Sequence, residues 1–298
     1  LQSFLKGREP MNREVADGLL DDLRGAGTIE FMQDFSIPFA TARTCRIMGF
    51  RESDTPMLKH WSGLFFYLFH SIPGKEVLEQ VNQALAEFRR HVGAAVEERR
   101  RNPRDDFLTV LMQASKGDFA FNEREVVDNC MLLTADGIEN PQTGLATAVA
   151  TLLRHGDQLK RLQADPTLVG PAVEECLRYE SPGQYQGRVA LETVEIGGKT
   201  IRANSVVLHV LAAANRDPAV FPRPDRFDID RNGARHLAFG VGQHACIGGT
   251  LVGMEFRAAL SALFDGSREF LPRTDRLEGV ARAGHRWPAA LPLDVRDL

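Results

Sequence analysis

The stretch FGVGQHACIGG, Phe239 to Gly249, sets four glycines around Cys246 and places His244 two residues before it. The next residues, GGTLVGMEFRAALSALF from Gly248, carry apolar side chains at helical spacing. Cys246 therefore stands at the start of a helix. There the positive end of the helix dipole and nearby backbone N–H groups favour thiolate over thiol. Gly248 and Gly249 have no Cβ, so those N–H groups can approach the sulfur. Gly240 and Gly242 suit a bulged turn that needs positive φ. His244 offers a donor to a group lying beside the sulfur.

The remainder of the chain sets limits. It has 298 residues, 43% hydrophobic and 26% charged, with a net charge of −4. That is enough apolar material for a large core, and the slightly acidic balance gives no reason to expect nucleic acid as a partner. The four cysteines, Cys45, Cys130, Cys176 and Cys246, are scattered. They suggest neither a disulfide framework nor a thiolate zinc site, and a cytoplasmic location fits them. The strongest apolar run, LFFYLFHSI from Leu64, is shorter than the ~18 residues of a membrane span.

Periodicity predicts a mainly helical domain with small β-sheets. Helices are expected from Met11 to Arg24 and from Lys75 to Arg101, the second stopped by Asn102-Pro103. Asn122 and Glu125 form a capping-box pattern. The helix they open should run to about His155, with Gly156 closing it. A short helix should begin at Gly170-Pro171 and end before Pro182. VEI and KTI flank Gly197-Gly198, a hairpin signal.

The loop F-G-x-G-x-H-x-C-x-G is met at every fixed position, and by it the chain resembles the cytochrome P450 family of haem-thiolate monooxygenases, in its soluble bacterial form. The resemblance implies the cytochrome P450 fold, a helical haem-sandwiching domain with small β-sheets. It implies one domain over residues 1–298 that lacks its N-terminal portion. The implied cofactor is haem b (iron protoporphyrin IX), with Cys246 as the axial iron ligand. Phe239 would shield the sulfur, His244 and Arg188 would meet the haem propionates, and Gly240 and Gly248 would shape the loop. The order EECLR then FPRPDRF matches the family too, and implies a buried ion network of Glu175, Arg178 and Arg226. Val252 and Gly253 depart from the family's usual Ala and Arg.

The expected long helix contains ADGIENPQ, Ala135 to Gln142. The family usually keeps an acid–alcohol pair here for proton relay. Glu139 retains the acid, but Asn140 replaces the alcohol. Pro141 has no N–H, so the Gly137 carbonyl loses its helical partner, and a kink with a groove for dioxygen or water is expected. Asn140 cannot titrate. Three alternatives stay open: water carries the protons, the substrate supplies a polar group, or peroxide bypasses the relay. Thr143, a spare alcohol, is expected to lie too far along the helix. Asp136, Ile138, Val189 and Leu191 are the expected pocket lining.

The implied activity is insertion of one oxygen atom from dioxygen into an apolar small molecule. Tailoring of a polyketide-like natural product, free or bound to a carrier protein, is the expected setting. No flavin or iron–sulfur motif is present, so ferredoxin and ferredoxin reductase would supply electrons. Arg231, Arg235 and His236 could dock such an acidic partner. Neither nucleic acid nor membrane is an expected partner. The alternatives are a non-catalytic relative that stabilises a partner enzyme, and a peroxide-driven hydroxylase.

Overall fold

The structure is a computed structural model that describes all residues except 1, 6, 71–73, 115–119, 232, 234, 275 and 281–283. The end of the apolar run from Leu64 thus lies outside the described residues. Among those described, no helix is long and apolar enough to cross a membrane.

Nine helices of eight residues or more are described: α1 (Glu9–Asp22), α2 (Ile37–Met48), α3 (Thr55–Phe65), α4 (Lys75–Arg101), α5 (Phe107–Ala114), α6 (Glu123–Arg154), α7 (Gly156–Ala164), α8 (Val169–Tyr179) and α9 (Gly249–Leu263). The α4 bounds are those the sequence predicts. At the start of α6 the Asn122 side chain accepts from the Glu125 N–H, and the Glu125 carboxylate accepts from the Asn122 N–H. Both orphan donors are satisfied as the capping box requires. Gly156 does not close α6; it begins α7.

The strands are β1 (Thr28–Glu30), β2 (Gln186–Val189), β3 (Val194–Ile196), β4 (Lys199–Ile201), β5 (Val206–His209), β6 (Arg268–Pro272) and β7 (Pro292–Asp297). They form three antiparallel sheets: β1-β7-β6, β2-β5 and β3-β4. Gly197 and Gly198 take φ of 56° and 72° between β3 and β4. Positive φ at both central residues is what a two-residue hairpin needs.

α6 serves two hydrophobic cores. Its first half packs Val126, Val127, Cys130, Met131, Ala135 and Ile138 with α3 and α4 around Trp61, Phe88 and Leu108. Its second half packs Leu145, Val149 and Leu152 with α8, α9 and the β6-β7 sheet. The two cores part at residues 139–144, where Pro141 sits inside the helix. The Gly137 carbonyl that proline leaves without a helical partner is not open. Thr44 Oγ1 donates to it at 2.7 Å and Arg43 Nη2 at 3.1 Å, both from α2. The freed carbonyl is thus satisfied from the neighbouring helix.

The buried ion network differs from expectation in its third member. Arg178 pairs with Glu175 through two hydrogen bonds, Nε to Oε2 at 2.7 Å and Nη2 to Oε1 at 2.9 Å. Arg231, not Arg226, completes it, with Nε at 3.1 Å from Glu175 Oε2. The Arg226 side chain is 53% exposed and lies 3.8 Å from Asp228. Its carbonyl, instead, accepts from Arg178 and Arg231. The physical reason is the turn after the buried Phe227. The Arg231 N–H donates to the Asp228 carbonyl, and that turn folds Arg231 back over Glu175. A guanidinium in this network cannot also serve as a docking charge. His236 is buried as well, 3.1 Å from Glu174, so of the three expected docking residues only Arg235 is exposed.

Arg231→Gln should therefore lower the unfolding free energy by about 2 kcal/mol, the worth of hydrogen bonds to a charged group. Arg226→Gln should change it by less than about 0.5 kcal/mol, as surface substitutions do. Urea denaturation midpoints of the two variants check the order.

Candidate active site

Cys246 sits in a loop closed by its own backbone. The Cys246 N–H donates to the Phe239 carbonyl at 2.8 Å, and the Gly240 N–H to the Leu237 carbonyl at 2.8 Å. Gly240 and Gly242 have φ of 66° and 82°, the left-handed region that side chains avoid. A Cβ on Gly249 would lie 3.3 Å from the Phe239 ring, so a larger residue there would press the ring away from the start of α9.

At Cys246 the N–H groups of the helix start favour the thiolate, as the dipole argument predicts, while burial opposes them. Burial pushes the Cys246 thiol up, and the negative charges of Asp136 and Glu255 add to that. The backbone N–H groups of Gly248 and Gly249 pull the other way but do not prevail. A bound metal would overcome this, because a coordinating thiol is deprotonated outright. Among the described residues no group of three or more His, Cys, Asp or Glu could hold a metal ion. A prosthetic group that brings its own metal ligands would suit Cys246 as a lone protein ligand.

The space for such a group is present. A cavity of about 870 Å³ opens between the cysteine loop and the middle of α6. Cys246, Phe239, Gly240, His244 and Gly248 line one side; Asp136, Gly137, Asn140 and Pro141 line the other. Arg188 reaches it from β2 with a side chain that meets no carboxylate among the described residues. A flat macrocycle with acidic substituents fits this set. Cys246 would ligate its metal, and Arg188 and His244 would offer donors to its carboxylates.

Two expectations about α6 change. Glu139 does not line the cavity. It pairs with Lys59 of α3, and its second oxygen accepts from Gln142 Nε2 at 3.0 Å. The α6 carboxylate that lines the cavity is Asp136, one turn earlier, with Asn140 Nδ2 at 3.5 Å from Oδ1. Its side chain is open to the cavity, and desolvation by the surrounding apolar walls pushes its pKa up to about 6. Thr143 bonds back to the carbonyls of Glu139 and Asn140, away from the cavity as expected. Of the expected pocket residues, Asp136 is on the lining. Ile138 is buried in the core, and Val189 and Leu191 face outward.

Comparison with known proteins agrees with this geometry. Residues 44–266 match the family model described as Cytochrome P450. A biotin biosynthesis cytochrome P450 of Bacillus subtilis is 37% identical over 259 residues, covering 86% of this chain and 64% of that protein. The 6-deoxyerythronolide B hydroxylase of Saccharopolyspora erythraea is 34% identical, covering 87% of this chain and 63% of that protein. The chain thus spans just under two thirds of the length of both relatives. A crystal structure of P450BioI with hexadec-9Z-enoic acid ligated acyl carrier protein superposes with a TM-score of 0.90 at 33% identity, over 98% of this chain and 75% of that one.

Asp136 makes ligand binding to the cofactor-loaded protein pH-dependent. A neutral apolar ligand packed over Asp136 is compatible with the protonated acid and opposed by the bare carboxylate. Affinity should fall by about tenfold as pH rises through about 6, and Asp136→Asn should flatten the profile. Titrations of the protein's absorption spectrum at several pH values read this directly.

Proposed function

Because the chain belongs to the cytochrome P450 family, we propose that it is a haem-thiolate monooxygenase that inserts one oxygen atom of dioxygen into an apolar small molecule. The observation that carries the reading is the opposition of the Cys246 sulfur and the Asp136–Asn140 face of α6 across one cavity. Haem b bound there would supply the redox chemistry that activates oxygen, with electron density donated by an axial thiolate. Cys246 provides that ligand, and the N–H groups of Gly248 and Gly249 moderate the charge on its sulfur. Phe239 covers the loop. Arg188 and His244 hold the propionates. Gly137 keeps α6 slender where Thr44 and Arg43 cap its carbonyl, since a Cβ there would meet Thr44 at 3.2 Å. Asn140 and Asp136 orient the substrate, and Glu139 acts through its pair with Lys59 as a positioning residue for this turn.

The substrate class follows from the walls and the relatives. Leu133, Leu177, Val210, Leu211 and Leu251 make the lining largely apolar, with Asp136 and Asn140 as its polar contacts on α6. One relative is a macrolide-ring hydroxylase, and one neighbour was crystallised with an acyl chain on its carrier protein. A polyketide-like chain or ring, free or carried on a protein, fits both. Ferredoxin and ferredoxin reductase are the electron donors, and the exposed Arg235 beside the cysteine loop is a candidate contact for the acidic partner.

The haem-loaded protein, supplied with ferredoxin, its reductase and isotopically labelled dioxygen, tests the reading. 6-Deoxyerythronolide B and hexadec-9Z-enoic acid on acyl carrier protein serve as probes. A hydroxylated product carrying one labelled atom is expected from at least one. Electron consumption with no oxygenated product from either, or label drawn only from water, would overturn it.

A further inference from the structure

Among the described residues two carboxylates line the cavity, and only one of them has a counter-charge. Glu255 of α9 lies 2.8 Å from Arg43 Nη1. Asp136 of α6 forms no ion pair among the described residues, and its one hydrogen-bond partner there is Asn140 Nδ2, at 3.5 Å. No neighbouring charge moves its pKa; desolvation alone does. The nearby cations are committed elsewhere. Arg43 is held by Glu255 and by the Gly137 carbonyl. Arg188, on β2, is the residue placed above at a propionate, and its Nη1 bonds the Gly187 carbonyl. Lys59, off the cavity, pairs with Glu139.

Exposed to solvent, the Asp136 charge costs little. A ligand that fills the space over α6 removes that solvent, and a carboxylate against hydrocarbon is then costly unless it takes a proton or meets a cation. Taking a proton suits neutral ligands at low pH, as described above. Meeting a cation is the course open at neutral pH, where the carboxylate is ionised. The donors and acceptors point the same way. Asp136 offers two acceptor oxygens, and Asn140, four residues on along the same helix face, adds a side-chain carbonyl. An ammonium group brings only donors, and it brings the opposite charge. A hydroxyl or amide would satisfy one hydrogen bond and leave the charge unmatched. Leu133, Leu177, Val210 and Leu211 are on the same cavity wall, so the remainder of such a ligand is hydrocarbon.

We propose that Asp136, with Asn140 beside it, selects a basic nitrogen, so that the preferred substrate is an amine: one protonated nitrogen on an otherwise apolar skeleton. This rests on the monooxygenase reading and names the substrate class for it. The ammonium N–H groups donate to the Asp136 carboxylate and the Asn140 carbonyl, and the ligand's own hydrocarbon keeps water from the pair. The alternative, a desolvated carboxylate left unpaired, is strongly unfavourable. An aliphatic amine keeps its proton up to about pH 10, as lysine does. Its pairing with Asp136 therefore strengthens as pH rises through about 6, the opposite slope to that of a neutral ligand. An ammonium also has no lone pair to offer iron, so the pairing holds the nitrogen off the metal. The other charged or titratable groups facing the cavity are Arg43 with Glu255, Arg188 and His244 assigned to the propionates, Cys246, and the histidines His209 and His285. On α6 itself, Glu139 is held by Lys59. Whatever these groups contribute to a pH profile persists in Asp136→Asn, which isolates the part that belongs to Asp136.

Dodecylamine, dodecanol and dodecanoic acid share one chain and differ in charge. Each is titrated into the haem-loaded wild type, Asp136→Asn and Asp136→Glu, with binding read by calorimetry and by the absorption spectrum. Slightly above neutral pH, the wild type should bind the amine about 30-fold more tightly than the alcohol, the worth of hydrogen bonds to a charged group. The acid should bind more weakly than either. The wild-type spectrum with the amine should show water displaced from iron and no nitrogen ligation. Asp136→Asn should bring the amine to within about threefold of the alcohol and remove its rise with pH, while Asp136→Glu keeps most of the preference. If Asp136→Asn does not load haem, the wild-type order and the opposite pH slopes of amine and alcohol carry the test. Equal affinity for amine and alcohol, nitrogen ligation to iron in the wild type, or an amine preference that Asp136→Asn leaves intact overturns the proposal. These are binding measurements, so they fail separately from the monooxygenase reading: a protein that binds the amine as described but oxygenates no probe overturns that reading alone.

Discussion

A sulfur facing a helix across a cavity is the constraint on which the molecule is organised. Cys246 is fixed at the mouth of α9 by the hydrogen bond to Phe239 and by glycines that let the loop close. α6 is fixed on the other side because its two halves belong to two cores. The gap between loop and helix is therefore set by packing on both sides, and side chains near it do not set it alone. That rigidity suits a site that must hold a large flat group and still leave room for a substrate.

Pro141 is where the two cores and the cavity meet. Its missing N–H would leave a buried carbonyl exposed to the cavity, at a cost comparable to a lost hydrogen bond. Thr44 and Arg43 remove that cost and, in doing so, tie α2 to α6. Arg43 in turn needs a counter-charge, and Glu255 from α9 supplies it. One local irregularity thus draws three helices together directly behind the site. A second clamp, Glu175 with Arg178 and Arg231, holds the chain that leads into the cysteine loop.

Much of this was legible in the sequence wherever the determinant is local. The capping box at Asn122, the two-glycine hairpin, the α4 bounds and the cysteine loop each depend on residues within a few positions of one another. The misreadings share a different cause. Arg231 replaces Arg226 because a turn, not a motif, decides which guanidinium reaches Glu175. Gly156 begins a helix because His155 bonds back to α6 and the chain turns at once. Glu139 leaves the cavity because Lys59, eighty residues earlier, holds it. Arg43 and Thr44 carry no sequence signal at all. In a helix pattern they read as polar residues on an exposed face, and only the gap at Pro141 explains why they are buried.

The central claim is that the sulfur of Cys246 is bound to haem iron within this cavity. The most direct measurement is the absorption spectrum of the purified, haem-loaded protein after reduction and exposure to carbon monoxide. The account predicts the strongly red-shifted Soret band of sulfur-ligated haem, lost when Cys246 is replaced by alanine. A spectrum typical of histidine ligation, or one that the alanine substitution leaves unchanged, would contradict it.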